Sequence, residues 1–118
     1  MNNNEIKNDI MTADAGCSLA RLSNIACQNS LSGLEFACGI PGTLGGALVM
    51  NAGAYGGEIG NLVLETEVTD VKGNISIITE HEFGYRSSIF QSKEYIILSS
   101  KMRLVHGDKE LIKVLLNK

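Results

Sequence analysis

The sequence predicts an α+β domain in which an antiparallel sheet is flanked by helices. Three observations carry this expectation. Apolar residues recur at helical spacing from Ser18 to Asn29. Beyond Gly60 the period changes to two, and a turn-rich segment, Asp70 to Asn74, joins two such runs as a hairpin. A second helical pattern follows Asp108.

Taken in order, Met1 to Asn8 is polar and Asn-rich and reads as a frayed end. Residues 1–12 are therefore expected to be disordered or tag-like, with the folded unit spanning 13–118. Leu19, Leu22, Ile25 and Ala26 mark one face of the first helix, which Ser18 caps after the flexible Gly16. Ser30 to Gly33 reads as a turn. Thr43 to Met50 forms a short helix opening just after Pro41–Gly42. Leu62, Leu64, Thr66 and Val68 are the inward face of a strand, and Glu65 and Glu67 its solvated side. Ile75 to Thr79 is the return strand, and Glu80 to Phe90 is irregular. Tyr95 to Leu104 is a third strand, with Ile96, Leu98, Met102 and Leu104 on one face. Asp108 caps a last helix whose Leu111, Ile112, Leu115 and Leu116 are expected to bury against the sheet; left uncovered, they would form a patch that promotes dimerisation.

Composition narrows the function. The chain has 118 residues, one domain with a real core, and a net charge of −3. That charge argues against a nucleic-acid binder, and the scarcity of Phe, Tyr and Trp argues against a base-stacking platform. No run approaches the length of a membrane span, and the N-terminus lacks the pattern of a secretory signal, so a cytoplasmic location is the expectation. Cys17, Cys27 and Cys38 are odd in number and widely spaced, which fits buried reduced thiols better than a disulfide framework or zinc site. His81 and His106 lie in polar stretches and read as surface residues. No metal site is expected.

The segment GIPGTLGGALVMNAGAYGG, Gly39 to Gly57, holds seven of the thirteen glycines (Gly39, Gly42, Gly45, Gly46, Gly53, Gly56, Gly57) and the single proline, Pro41. Glycine loses more conformational freedom on folding than any other residue, so this density needs a reason. One reason is a loop whose bare N–H groups cradle a phosphate or a flat cofactor; the other is tight packing alone. It is not a P-loop, because Ala47 follows Gly46 where a Lys is required. Nor do Gly39, Gly42, Gly45 and Gly46 have the GxGxxG spacing of a dinucleotide fold. On the residues alone both readings stay open.

The longer string SGLEFACGIPGTLGGALVMNAGAYGGEI, Ser32 to Ile59, closely resembles the bacterial UDP-N-acetylenolpyruvoylglucosamine reductases, the MurB family. A second segment, FGYRSSIF from Phe83 to Phe90, is similar to that family's FGYRxSxF motif. The resemblance runs from about Ala13 to Leu116. It implies the second FAD-binding subdomain of a PCMH-type, vanillyl-alcohol-oxidase-like fold. It also implies an oxidoreductase of peptidoglycan precursor synthesis that takes hydride from NADPH onto FAD and passes it to UDP-N-acetylglucosamine enolpyruvate, giving UDP-N-acetylmuramate. Carried over, Gly39, Ile40, Pro41, Gly42, Thr43, Gly45 and Gly46 would lie along the FAD, with Asn51, Ala52 and Gly53 approaching it. Tyr55 would face the substrate. Tyr85 would line the substrate pocket or belong to the core. Arg86 matches the catalytic arginine, whose guanidinium can hold enolate-like charge bidentately. Ser87 and Ser88 read as hydrogen-bonding loop residues.

The same resemblance implies parts that this sequence does not contain. The family's proton-donating serine sits in a GSxFKNP motif, and its catalytic glutamate and upstream glycine loop are also missing. Ile10 to Asn29 would be the last strand and helix of the preceding subdomain. The chain is thus expected to be an internal piece lacking the substrate-binding domain, inactive and poor in flavin by itself. The alternative is a non-catalytic PCMH-type binding or structural module.

Overall fold

A computed structural model describes residues 3–54, 56–91 and 94–116. Five strands form one antiparallel sheet: β1 (Asn4–Lys7), β2 (Ile10–Asp14), β6 (Val63–Thr69), β7 (Ile75–Ile78) and β8 (Ile96–Arg103), in the spatial order β1-β2-β8-β6-β7. The short strands β3 (Leu31–Ser32) and β9 (Val105–His106) pair with each other, as do β4 (Gly53–Ala54) and β5 (Gly57–Glu58). Three α-helices complete the chain: α1 (Leu19–Gln28), α2 (Leu44–Met50) and α3 (Lys109–Leu116).

The caps follow from residue chemistry. The Ser18 hydroxyl accepts from the Arg21 N–H, Thr43 Oγ1 accepts from the Gly46 N–H, and Asp108 Oδ1 accepts from the Glu110 and Leu111 N–H groups. In the β6–β7 turn, Asp70 Oδ1 accepts from the Lys72 and Asn74 N–H groups. These bonds hold the Asp70 carboxyl below the usual carboxylate range, the Asn74 backbone contributing most.

Met11 and Ala13 of β2, Val68 of β6 and Met102 of β8 point to one face, which is covered by Leu19, Leu22 and Ala26 of α1 and Leu44, Ala47 and Leu48 of α2. The opposite face is polar, with Lys101 of β8 ion-paired to Glu65 of β6 at 3.2 Å.

Several expectations are corrected. Asn4–Lys7 is not frayed: it pairs with β2, from Asn4 opposite Ala13 to Lys7 opposite Ile10. Nor does Ile10–Asn29 belong to a separate subdomain, because β2 lies beside β8 in the same sheet, with Met11 opposite Met102. Ser30–Gly33 contains strand β3. Leu64 and Ile96 are exposed, not inward. The cause is a pair of register shifts: Val63 faces Met102 but Glu65 faces Lys101, leaving Leu64 extra in β6, and Glu67 faces Ser99 while Val68 faces Ile97, leaving Leu98 extra in β8. One extra residue reverses the side-chain parity of everything beyond it. Helix α3 packs on α1 and β3 rather than on the main sheet, and only Ile112 is buried; Leu111, Val114 and Leu115 are exposed.

Candidate functional site

Two loops that are distant in sequence meet at one cavity of about 340 Å³. Leu19, Ile40, Pro41, Gly42, Thr43, Gly46, Ala47, Met50, Ala52, Gly53 and Arg86 line it. The volume is near the lower end of ligand cavities, so a large ligand would extend beyond it.

The glycines there do different work. Gly42 has φ of +118°, a conformation that side-chain-bearing residues rarely adopt, and a Cβ on it would stand in open space. Gly46 also borders open space, its nearest neighbour to an added Cβ being Thr43 Oγ1 at 3.6 Å. Gly53 is squeezed: an added Cβ would lie 2.6 Å from the Gly57 carbonyl oxygen and 3.3 Å from Arg86 Nη1. Gly45 faces away from the cavity, donating its N–H to the Ala15 carbonyl at 2.9 Å.

The expectation of bare donors around the start of α2 therefore needs correcting. Leu44 donates to Cys17 O at 2.9 Å, Gly45 to Ala15 O, and Gly46 to Thr43 Oγ1 at 3.3 Å. These N–H groups tie the loop to the β2–α1 connection, as backbone donors packed against protein must be satisfied. Positive charge at the cavity comes from Arg86 instead.

Arg86 sits on a tight turn in which Gly84 N–H donates to Ser87 O at 3.0 Å and Ser87 N–H donates to Gly84 O at 3.4 Å. Its φ is 54°, uncommon for a residue with a side chain. The guanidinium lies 5.4 Å from the centroid of the exposed Tyr85 ring, and it has no carboxylate partner among the described residues. A planar cation without an internal counterion, beside small apolar walls, suits a flat ligand that carries anionic oxygens.

The remaining sequence candidates fall elsewhere. Gly39 lies on a second cavity of about 500 Å³ with Ser32, Glu35, Cys38 and Leu115. Tyr85 is 89% exposed, which excludes the core. Tyr55 lies outside the described residues. Asn51 is 1% exposed, with its amide turned into the protein and away from the cavity. Ser88 is a loop tie, its Oγ donating to Val49 O at 2.7 Å and accepting from Phe90 N–H at 3.2 Å. Cys17 and Cys27 are buried free thiols, and Cys38 is half-buried.

His81 is buried, contrary to expectation. Its ring stacks on Phe83 with centroids 4.9 Å apart, and Nε2 lies 2.8 Å from Thr66 Oγ1, which lies 3.0 Å from Ser100 Oγ. Burial pushes its pKa below the ordinary histidine value, against the Thr79 backbone and the Glu80 charge. The available hint was Thr66, a hydroxyl at an inward strand position that needs a polar partner. Leu19, Ala47 and Met50 also line the cavity and were not among the sequence candidates, because apolar helical residues carry no signal that separates a cavity wall from other packing.

Residues 1–79 match the sequence profile of a family described as FAD binding domain. A UDP-N-acetylenolpyruvoylglucosamine reductase from Exiguobacterium sibiricum is 50% identical over 109 residues, which is 91% of this chain and 36% of the relative. The crystal structure of UDP-N-acetylenolpyruvylglucosamine reductase (MurB) from Thermus caldophilus superposes with a TM-score of 0.80 at 34% identity, over 87% of this chain and 39% of that one. A cholesterol oxidase variant from Brevibacterium sterolicum shares the fold, with a TM-score of 0.63 at 18% identity over 89% of this chain and 24% of that one. The chain spans about a third of the length of the curated relatives it matches.

Proposed function

We infer that this chain, which belongs to the FAD binding domain family, forms one wall of the FAD site of a UDP-N-acetylenolpyruvoylglucosamine reductase. The observation that carries this reading is the meeting of Arg86 with Ile40–Thr43 and Ala52–Gly53 on one cavity. The residues fit the cofactor: Gly42, Gly46, Ala47 and Ala52 leave a flat ring room to approach, Ile40 and Pro41 give it apolar contact, and Arg86 would face the polar edge of that ring, beside the reacting substrate.

When bound, FAD would supply hydride, taken from NADPH, to the enolpyruvyl double bond of UDP-N-acetylglucosamine enolpyruvate, and a proton added to the neighbouring carbon would complete UDP-N-acetylmuramate. Hydride addition to that bond leaves negative charge on the neighbouring carbon and its carboxylate. Arg86 holds this charge through paired N–H donors, an interaction stronger in the transition state than in the ground state. Gly53 lets β4 lie close to Arg86, so the guanidinium is backed by backbone rather than by a mobile side chain. The setting proposed is the bacterial cytoplasm, in cell-wall precursor synthesis that serves cell shape and division; no described helix is long and apolar enough to cross a membrane.

By themselves these residues line the cavity with Arg86 and part of a cofactor wall, so they are expected to bind FAD weakly and not to turn over substrate. Titrating FAD into the ¹⁵N-labelled chain should shift amides of Ile40–Gly46 and Ala52–Gly53 together with the Arg86 Nε–H. Shifts confined to the Gly39–Leu115 cavity, or none at millimolar FAD, would overturn the reading.

A further inference from the structure

We propose that Asn51 is the positioning residue for Arg86, holding the turn that carries it rather than touching a ligand. The inference rests on the reading of Arg86 as the cation of the pocket.

Asn51 ends α2 in the left-handed conformation, with φ 46° and ψ 57°. Asn adopts that region more readily than most residues, and it aims the side chain back into the fold. There the amide uses both of its ends. Oδ1 accepts from the Gly60 N–H at 2.8 Å, and Nδ2 donates to the Gly84 carbonyl at 2.7 Å, across 33 positions of sequence. Gly84 is the first residue of the Arg86 turn, and its carbonyl also accepts from Ser87 N–H. The turn is thus closed on itself and anchored from below by one buried amide. At the far side of the turn, Ser88 Oγ reaches the Val49 carbonyl, so both flanks of the Arg86 loop are fastened to the C-terminal end of α2.

The fit around this amide is tight. A Cβ on Gly60 would stand 2.7 Å from Asn51 Oδ1 and 2.8 Å from the Phe83 ring, so the Gly60 amide can approach only as glycine. The left-handed Arg86 backbone is a conformation that the surroundings must enforce. Asn51 supplies that enforcement, because a buried donor–acceptor pair is strongly penalised when either end is lost. The substitution Asn51→Asp would keep the Gly60 bond but set a carboxylate oxygen against the Gly84 carbonyl oxygen.

The test uses Asn51→Asp and Asn51→Gly; the glycine variant keeps left-handed backbone without introducing a buried charge. Amide hydrogen exchange is followed at Gly84 and Ser87, with Met11 and Met102 as references in the same molecule. Exchange at the turn should accelerate at least about tenfold more than at the sheet. Uniform acceleration everywhere, or an unchanged turn, would refute positioning, since a residue that is only structural moves all amides together. FAD titration then separates the two readings. Asn51→Gly and Arg86→Ala should each weaken FAD binding, and the double variant should be no weaker than Arg86→Ala alone; additive losses would contradict action through Arg86. If the unmodified chain shows no FAD shifts, the cofactor reading falls, and the exchange ratio decides the positioning role without it.

Discussion

Gly46→Ala should make the protein more stable and its cavity worse. Gly46 is the third residue of α2, has ordinary helical φ, and would place a Cβ only 3.6 Å from Thr43 Oγ1, an ordinary contact. Nothing in the fold requires glycine there. Replacing a helical glycine with alanine stabilises by about 0.5–1 kcal/mol. At roughly 2.1 cal/mol/K per residue for a chain of this length, that is about 2–4 °C in melting temperature. Yet Gly46 lines the cavity with Arg86, so the methyl removes space from a ligand lying flat on α2. Urea unfolding should show a higher midpoint at unchanged slope, while FAD-induced shifts at Ile40–Gly46 weaken. Gly45→Ala is the control: its Cβ would lie 3.2 Å from Ala15 Cβ and 3.3 Å from Ala15 O, and the variant should be about 1–2 kcal/mol less stable than Gly46→Ala. A destabilised Gly46→Ala would refute the helix geometry. A stabilised variant with undiminished FAD shifts would refute Gly46 as part of the ligand wall.

Other consequences are open to measurement. Gly57→Ala should cost about 1–3 kcal/mol in chemical denaturation, because its Cβ would lie 2.9 Å from the Phe36 ring; a neutral result would mean that the β4–β5 ribbon moves freely. His81 is held neutral by burial, so its folded pKa lies below its unfolded value near 6.5. The unfolded chain then binds the extra proton first, and the stability this group contributes is complete above that value and is lost as pH falls through it. His81→Gln should flatten stability against pH as the pH falls below about 6.5, and an unchanged slope would contradict the burial of a ring whose pKa is lowered. Arg86→Lys should weaken FAD shifts without altering the unfolding midpoint beyond about 0.5 kcal/mol, because a lysine ammonium lacks the paired planar donors and the residue is exposed.

Much of the fold was legible wherever local chemistry decides the outcome. Ser18, Thr43 and Asp108 announce helix starts, Asp70 announces a turn, and each makes the bonds its position demands. What stayed hidden depends on partners remote in sequence. Alternation placed Leu64 and Ile96 inward because period-two reasoning has no means of seeing a bulge, and the extra residues become apparent only when β6 is laid beside β8. Polarity misread Asn4–Lys7, whose strand exists because β2 offers it an edge. At the site, the resemblance set Ile40–Thr43, Ala52 and Gly53 along the cofactor and Arg86 at the substrate, and the structure puts all of them on one cavity. The motifs did not separate Gly45 and Asn51, which brace the wall, from the residues that form its surface. That distinction lies in side-chain direction, which a string of small residues does not encode.

The central position of β8 has a consequence for how the chain reaches this structure. β1 and β2 form one hairpin and β6 and β7 another, both from neighbouring sequence, and each can assemble early. In the sheet they are joined only when β8 inserts between β2 and β6, bringing Met102 beside Met11. During synthesis the two hairpins must therefore wait, with the edges of β2 and β6 unpaired, until residues 96–103 have left the ribosome. Closing so long a loop is slow, and edges left unpaired in that interval are where chains associate wrongly. Yield from the cell should respond most sharply to substitutions in β8, the strand made late that completes everything made before it.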